Sequence, residues 1–537
     1  MKTALTACLC LATHAWADTY PRQPGIDAVH YVFRLELSDS SDEIRGEASI
    51  DLRFVRAGVT EVALDLASAA GAGGKGMAVS EVRTGGDAIP FIHQADRLRI
   101  ALATPPAAGR LLRFTIRYRG IPASGLRIGP NKYGERTFFS ENWPDRARQW
   151  LPMIDHPYDK ATSEFIVTAP AIYQVVSNGL LVEETDLGDG RRLTHWKQSV
   201  PIASWLNAIG VAQFTSRHFG IAHGIPLETW VFHQDREAGI GAFDRVVRQS
   251  IDFYSDHIGP YPYEKLGNVE AAGLNGGTEH ASAIFYGEKS ITGKPVDGLV
   301  AHEIAHQWFG DAVTEKDWDD VWLSEGFATY FTLLFTEHYQ GRDAFAAGLE
   351  RSRTAILALE AKNPGMAVAH DNLSDMRKVL NQIVYQKGGW TLHMLRGQMG
   401  TENFWEGIRD YYARYRDGNA STADFRQVME RHAGVDLTWF LDQWLRRAGS
   451  PSIEGGWRFD AKTGRIEIEL AQTQAGEPYR LPIEFSVVSG EGIPARIEKV
   501  EMRERRQTFS MAAGKEPVSV RMDPNTCLLA RMHFMKR

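Results

Sequence analysis

The spacing of apolar residues changes twice along this 537-residue chain. From Asp27 to about Phe214 the period is mostly two. Phe33, Leu35 and Leu37 alternate with polar neighbours, and so do Ala48, Ile50, Leu52 and Phe54, then Phe114, Ile116 and Tyr118. Alternation sends successive side chains to opposite faces, so this stretch predicts half-buried antiparallel strands. From about Phe243 the period is 3.6, with Phe243, Val246, Val247, Ile251 and Tyr254 on one helical stripe. Helical patterns then dominate to about Leu445. Gly449-Ser450-Pro451 breaks them, and alternation returns at Ile466, Ile468 and Leu470, then at Leu481, Ile483 and Phe485. A chain of this length divides into several cores. The expectation is a multidomain α+β protein: a β domain over 18–217, a mainly helical domain over 218–449, and a C-terminal β-sandwich over 450–537.

Residues 1–17 stand apart from this pattern. Lys2 precedes a short apolar run from Ala4 to Ala12, and Ala15-Trp16-Ala17 comes after it. A charged start, a short apolar core and an A-x-A site are the marks of a secretory signal, here cut after Ala17. Cys8 and Cys10 would leave with it, and Cys527 would remain as the one cysteine, without an internal disulfide. The expectation is an exported protein, periplasmic or secreted. Asp and Glu number 67 against 60 Lys and Arg, a formal charge of −7. No basic surplus points to nucleic acid. No apolar run approaches the ~18–20 residues of a membrane span, so no transmembrane segment is expected.

The strongest chemical signal is His302-Glu303-Ile304-Ala305-His306. Residues i and i+4 lie one helical turn apart on the same face, so two imidazoles can reach one metal. Glu303 projects from the adjacent position and can serve as a general base. Val300, Ile304 and Ala305 make the rest of that helix apolar, which predicts burial. A catalytic zinc needs a third protein ligand and an open position for water. Glu325 supplies the ligand: 311–320 reads as a polar loop and 321–336 as a second helix, and two antiparallel helices would bring Glu325 to the histidines. Two His and one Glu make a zinc site of the hydrolytic kind.

Together with Trp322-Leu323-Ser324-Glu325-Gly326-Phe327-Ala328, this motif resembles the zinc aminopeptidases of the aminopeptidase N and leukotriene hydrolase family. A second motif, Gly276-Gly277-Thr278-Glu279-His280, is similar to the family's Gly-x-Met-Glu-Asn, with Thr278 and His280 replacing Met and Asn. A third, Tyr385-Gln386-Lys387-Gly388, is similar to the family's Tyr-x-Lys-Gly. The resemblance covers nearly all of the chain after residue 17. It implies a saddle-like β domain, a thermolysin-like catalytic domain and a β-sandwich, without the large C-terminal helical domain of many relatives. It also implies that one Zn2+ is held by His302, His306 and Glu325, that Tyr385 stabilises the oxyanion, and that Glu279 binds the substrate's α-ammonium. Gly276 and Gly277 are expected to let an extended substrate backbone approach. Glu141, aligned without gaps, falls on a second amine anchor from the N-terminal domain. His280 has two readings: it can hydrogen-bond locally as Asn does, or carry charge near pH ~6.5 and so weaken amine binding in acid.

The implied activity is removal of N-terminal residues from peptides. Two other classes share the residues. A zinc hydrolase of another substrate, such as an epoxide, would keep the whole site. A binding protein on the same scaffold would have no use for Glu303.

Overall fold

The computed structural model describes residues 18–69, 74–370, 373–490 and 492–537. The expected signal segment, with Cys8 and Cys10, lies outside the described residues.

The N-terminal domain is built on an eight-stranded sheet. The expected alternation is there: Phe33, Leu35, Ala48, Ile50, Leu52, Phe114 and Ile116 are all buried. One expectation needs correcting. The sheet is not wholly antiparallel, because one inner pair, Ile26–Glu36 and Lys160–Pro170, runs parallel with Phe33 opposite Phe165. Alternation records which face a side chain takes and says nothing of strand direction. A parallel pair needs a long crossover, and here everything between residues 37 and 159 supplies it.

A five-stranded mixed sheet comes next, running from Phe214–Ala222 through Ile225–Phe232, Leu266–Ala271 and Ala283–Gly287 to the short edge strand Gly277–Thr278. The boundary expected at 217 therefore falls inside a strand, and this sheet begins at Phe214. Leu266–Ala271 and Ala283–Gly287 are buried at every residue. Both faces of these strands are covered, so no wet face marks them as strands, which is why this stretch reads as part of a helical region.

The helices of the catalytic domain are α1 (Arg236–His257), α2 (Asp297–His306), α3 (Trp322–Gln340), α4 (Arg342–Lys362), α5 (Gln382–Met399), α6 (Thr401–Tyr415) and α7 (Thr422–Ala433). Helices α3 and α5 cross closely. A Cβ at Gly326 would lie 2.9 Å from the Gly388 backbone, and one at Gly388 would lie 3.0 Å from the Cα of Gly326. Two glycines at the contact thus set how near Glu325 on one helix comes to Tyr385 on the other.

After Pro451 the chain forms a four-stranded and a three-stranded sheet. Ile466, Ile468, Leu470, Leu481, Ile483 and Phe485 are buried, as alternation predicts. One apolar core runs through the helical domain into these sheets, joining Phe440 and Trp444 to Tyr479 and Leu481. A second fills the N-terminal domain and takes in Val269, Ala271 and Phe285 of the catalytic sheet. The catalytic domain therefore shares apolar cores with both neighbours.

Candidate metal centre and substrate cleft

Helix α2 presents His302 and His306 one turn apart, and the first turn of α3 presents Glu325. The Nε2 atoms of the two histidines are 3.2 Å apart. Glu325 Oε2 lies 3.5 Å from His302 Nε2 and 3.3 Å from His306 Nε2. Ligands at ~2.0–2.1 Å from a tetrahedral ion lie about 3.3–3.4 Å from one another. The three donors thus already hold the spacing of a tetrahedral site. Glu325 Oε2 is buried without a hydrogen-bond partner, a costly state unless a ligand satisfies it. The far ring nitrogen of His306, Nδ1, lies 3.2 Å from the Phe309 carbonyl and 3.0 Å from Ser324 Oγ. Donation from Nδ1 to the carbonyl leaves Nε2 as a lone pair facing Glu325, which is how outer contacts orient metal-binding imidazoles. Burial opposes the charge on Glu325, but His306 and His302 outweigh it and hold its carboxyl low.

Glu303 and Glu279 stand beside this trio. Each brings an oxygen within 4.8 Å of a His306 nitrogen and of the other. Burial first, then the charge of Glu279, holds the Glu303 carboxyl well above the usual range. A carboxylate so placed is a stronger proton acceptor than one in water. Burial raises Glu279 as well, and its Oε1 is buried without a partner. Tyr385 of α5 stacks on His302, ring centroids 6.1 Å apart and 19° from parallel. Burial, then Glu325, raises its pKa, so the phenol stays protonated and can donate.

The glycines divide into two roles. Gly276 has φ +82° and open space where a Cβ would stand, so it makes a turn that other residues would strain. At Gly277 a Cβ would overlap the Glu303 carboxyl group, and the residue also lines the cleft. Its missing side chain makes room for Glu303 and keeps that wall of the cleft open.

The departures at Thr278 and His280 also resolve. Thr278 lines the cleft. His280 is fully buried and packs edge-on against Phe285 at 4.9 Å. The Ser140 and Trp205 backbones are its polar neighbours, yet neither ring nitrogen has a hydrogen bond of ordinary geometry. Burial pushes its pKa down to about 4. Of the two readings of His280, charging near pH ~6.5 is the one that burial opposes, and the ring stays neutral well into acid.

Glu141 enters from the N-terminal domain. Asn142 donates to the Asn207 carbonyl at 2.6 Å and accepts from Trp150 Nε1 at 2.9 Å, fixing the loop that carries it. Glu141, Glu279, Glu325 and Tyr385 line one cleft of about 530 Å³. Glu141 also pairs with Arg146, which the sequence does not single out. Burial pushes the Glu141 carboxyl up to about 7, with Arg146 pulling it down and Glu279 adding to the rise.

Gln307, next to the second histidine, also goes unnoticed in the sequence. It is fully buried. Its amide donates to the Glu279 carbonyl at 2.9 Å and to Asp311 Oδ2 at 2.7 Å, and its oxygen accepts from Ser282 N–H at 2.8 Å. It ties the Glu279 loop to the metal-type helix. A polar residue at the buried end of an apolar helix was the available signal. Lys387 of the third motif is not in the cleft. It is buried, 3.0 Å from Glu360 and 2.6 Å from the Gly449 carbonyl, and it clamps α5 to the start of the C-terminal sheets.

The chain matches the peptidase family M1 domain over residues 243–444 and the peptidase M1 N-terminal domain over residues 27–206. It is 28% identical to human glutamyl aminopeptidase over 377 residues, 65% of this chain and 39% of that protein. It is also 28% identical to the rat thyrotropin-releasing hormone-degrading ectoenzyme over 351 residues, 60% of this chain and 32% of that one. It thus spans well under half the length of these curated relatives. Among solved structures, a two-domain M1 zinc metallopeptidase bound to L-arginine shares the fold, with TM-score 0.70 and 24% identity, covering 80% of this chain and 95% of that one. An M1 zinc metallopeptidase from Deinococcus radiodurans aligns with TM-score 0.68.

Proposed function

Because the chain belongs to peptidase family M1, we propose that it is a zinc-dependent aminopeptidase, removing N-terminal residues from peptides. One observation carries the reading: three donors at tetrahedral spacing stand beside two buried carboxylates, Glu303 and Glu279, and Glu325 and Glu279 line one cleft. His302, His306 and Glu325 would hold the zinc. When bound, zinc acts as a Lewis acid and lowers the pKa of a water toward ~7.

The rest belongs to this chain's own residues. Glu303 takes the water's proton and passes it to the leaving amine. Tyr385 donates its phenolic O–H to the carbonyl oxygen as charge develops there. Glu279 and Glu141 accept hydrogen bonds from the substrate's α-ammonium, a charge-assisted contact that only a free N-terminus can make. That contact fixes the first peptide bond at the reacting groups, so residues leave one at a time.

The reading includes export. Among the described residues no helix is long and apolar enough to cross a membrane. N-terminal sequencing of the protein from its natural host should start at Asp18; a start at Met1 would end this part of the reading.

The test of the activity uses matched peptides with free and acetylated N-termini, with products identified by mass. Stepwise loss of N-terminal residues from the free set only, abolished by a chelator, is the expected result. Cleavage of both sets would remove the role given to Glu279.

A further inference from the structure

A second groove opens beside the metal-type site. It runs between α2, α3, α4 and α5, has a volume of about 500 Å³, and is lined by residues that include His302, Tyr385, Thr329, Gln382, Gln386 and Arg351. Tyr385 is the residue it shares with the cleft of Glu279 and Glu141, while Glu325 faces that cleft and His302 faces this groove. The donors thus stand where the two spaces meet. A substrate held by its ammonium in the first space, with its scissile bond at the donors, has the second space for the residues on the C-terminal side of that bond.

The two spaces differ in charge. The first is lined by three acids, Glu141, Glu279 and Glu325, and by Arg146 and Arg377, which pair with Glu141 and Asp375. No acid lines the second, and its permanent charge is Arg351 of α4. Arg351 is exposed and, among the described residues, makes no ion pair or hydrogen bond. Its neighbours are bound: Arg353 pairs with Glu350 and Asp523, and Arg342 pairs with Glu337. A guanidinium presents two parallel N–H donors that match a carboxylate. The groove's size lies in the lower half of the ~300–1,000 Å³ typical of small-ligand sites, enough for a short stretch of chain.

We infer that Arg351 binds the C-terminal carboxylate of short peptides, which makes tripeptides and peptides of similar length with a free C-terminus the preferred substrates. This deepens the aminopeptidase reading and rests on it. Acid at one end and a cation at the other match the two charges of a short zwitterionic peptide. In long peptides the carboxylate lies beyond reach.

The experiment measures binding, so that it does not depend on turnover. Leu-Gly-Gly and its C-terminal amide are titrated calorimetrically into zinc-loaded Glu303→Gln protein, and into the same protein carrying Arg351→Ala or Arg351→Lys. The free acid should bind about five- to tenfold more tightly than the amide, the scale of a charge-assisted pair open to solvent. Arg351→Ala should erase that preference with amide binding unchanged, Arg351→Lys should keep part of it, and added salt should weaken it. Equal affinity of acid and amide in the parent, or equal loss for both in Arg351→Ala, overturns the role of Arg351. The companion assay on the wild-type enzyme separates the two proposals. Failure to release leucine from either peptide would sink the aminopeptidase reading, while a measured acid-over-amide preference would still stand for Arg351.

Discussion

Two groups of buried carboxylates sit on either side of the domain junction, and they are treated in opposite ways. Around the loop that leads from the N-terminal domain to the cleft, three buried acids, Asp155, Asp65 and Asp18, are satisfied. Asp155 accepts from Arg148 Nε at 2.9 Å, from the Arg148 backbone N–H at 3.0 Å and from Ser204 at 2.7 Å. Asp65 takes Tyr20, Arg97 and the backbone N–H of Asp155. Asp18 takes His156 Nε2 at 2.7 Å and the Trp318 N–H at 3.1 Å. In the cleft, Glu279 and Glu325 each keep a buried oxygen without a partner, and Glu303 makes no hydrogen bond among the described residues. A buried polar group costs about 1–3 kcal/mol when unmet, and more when charged. The first group therefore stabilises the fold. The second is a reserve of unmet acceptors that a metal and an ammonium would satisfy.

The largest effect expected from this difference is at Glu303. Glu303→Gln removes the proton acceptor and, with it, like-charge repulsion against Glu279. Turnover should fall about 10²–10⁴-fold, while zinc content and thermal stability hold or rise. A variant that loses its zinc or melts earlier would place Glu303 among the structural acids and break the comparison.

The opposite outcome is expected at Asp155. Removing one partner of a buried ion pair leaves the other uncompensated, at about 3–5 kcal/mol. Asp155→Ala should unfold at distinctly lower denaturant concentration, read by circular dichroism. Peptide turnover per folded molecule should change far less than in Glu303→Gln. A stable but inactive Asp155→Ala protein would mean that the loop acids take part in chemistry.

Between these lies Gly277, where backbone and chemistry meet. A methyl group at this position overlaps the Glu303 carboxyl. Gly277→Ala should displace the base, and a shift of about 1 Å costs on the order of 10²-fold in rate. Steady-state kinetics should show the loss in kcat with zinc retained. An unchanged kcat would show that Glu303 has room to move and still react.

The same physical division decides how much of the molecule was legible in its sequence. The meeting of His302, His306 and Glu325 was legible because two of them are one helical turn apart and the third needed only a second helix returning alongside. The strands of the outer domains were legible wherever one face is buried and the other wet. Direction was not: the parallel pairing of Ile26–Glu36 with Lys160–Pro170 is decided by the path of more than a hundred intervening residues. Nor were the buried strands 266–271 and 283–287: both faces are covered, so even Asn268 and Glu270 of the first mark no wet face. Gln307 was silent because its partners, the Glu279 carbonyl and the Ser282 N–H, lie 28 and 25 residues away. At Gly277 the approach to the cleft was legible, but the contact with Glu303 was not. For His280 the sequence left local bonding and charging open, and only burial separates them.

The smallest effect expected is also the most specific to this cleft. Glu141 is the one acid that belongs to both groups, paired with Arg146 as a structural acid would be, yet lining the cleft of Glu279 and Tyr385. Burial raises its carboxyl to about 7, Arg146 opposes that rise and Glu279 reinforces it. Its charged form attracts an ammonium and its neutral form does not, so amine binding is complete above pH ~7 and declines as the pH falls through it. KM for free peptides should therefore rise by up to about tenfold between pH 8 and pH 6, and Glu141→Gln should flatten that dependence while raising KM at pH 8. The neutral His280, with its pKa near 4, contributes nothing in this window. A KM profile of the same shape in Glu141→Gln would assign the titration elsewhere and return Glu141 to the structural acids, held by Arg146 alone.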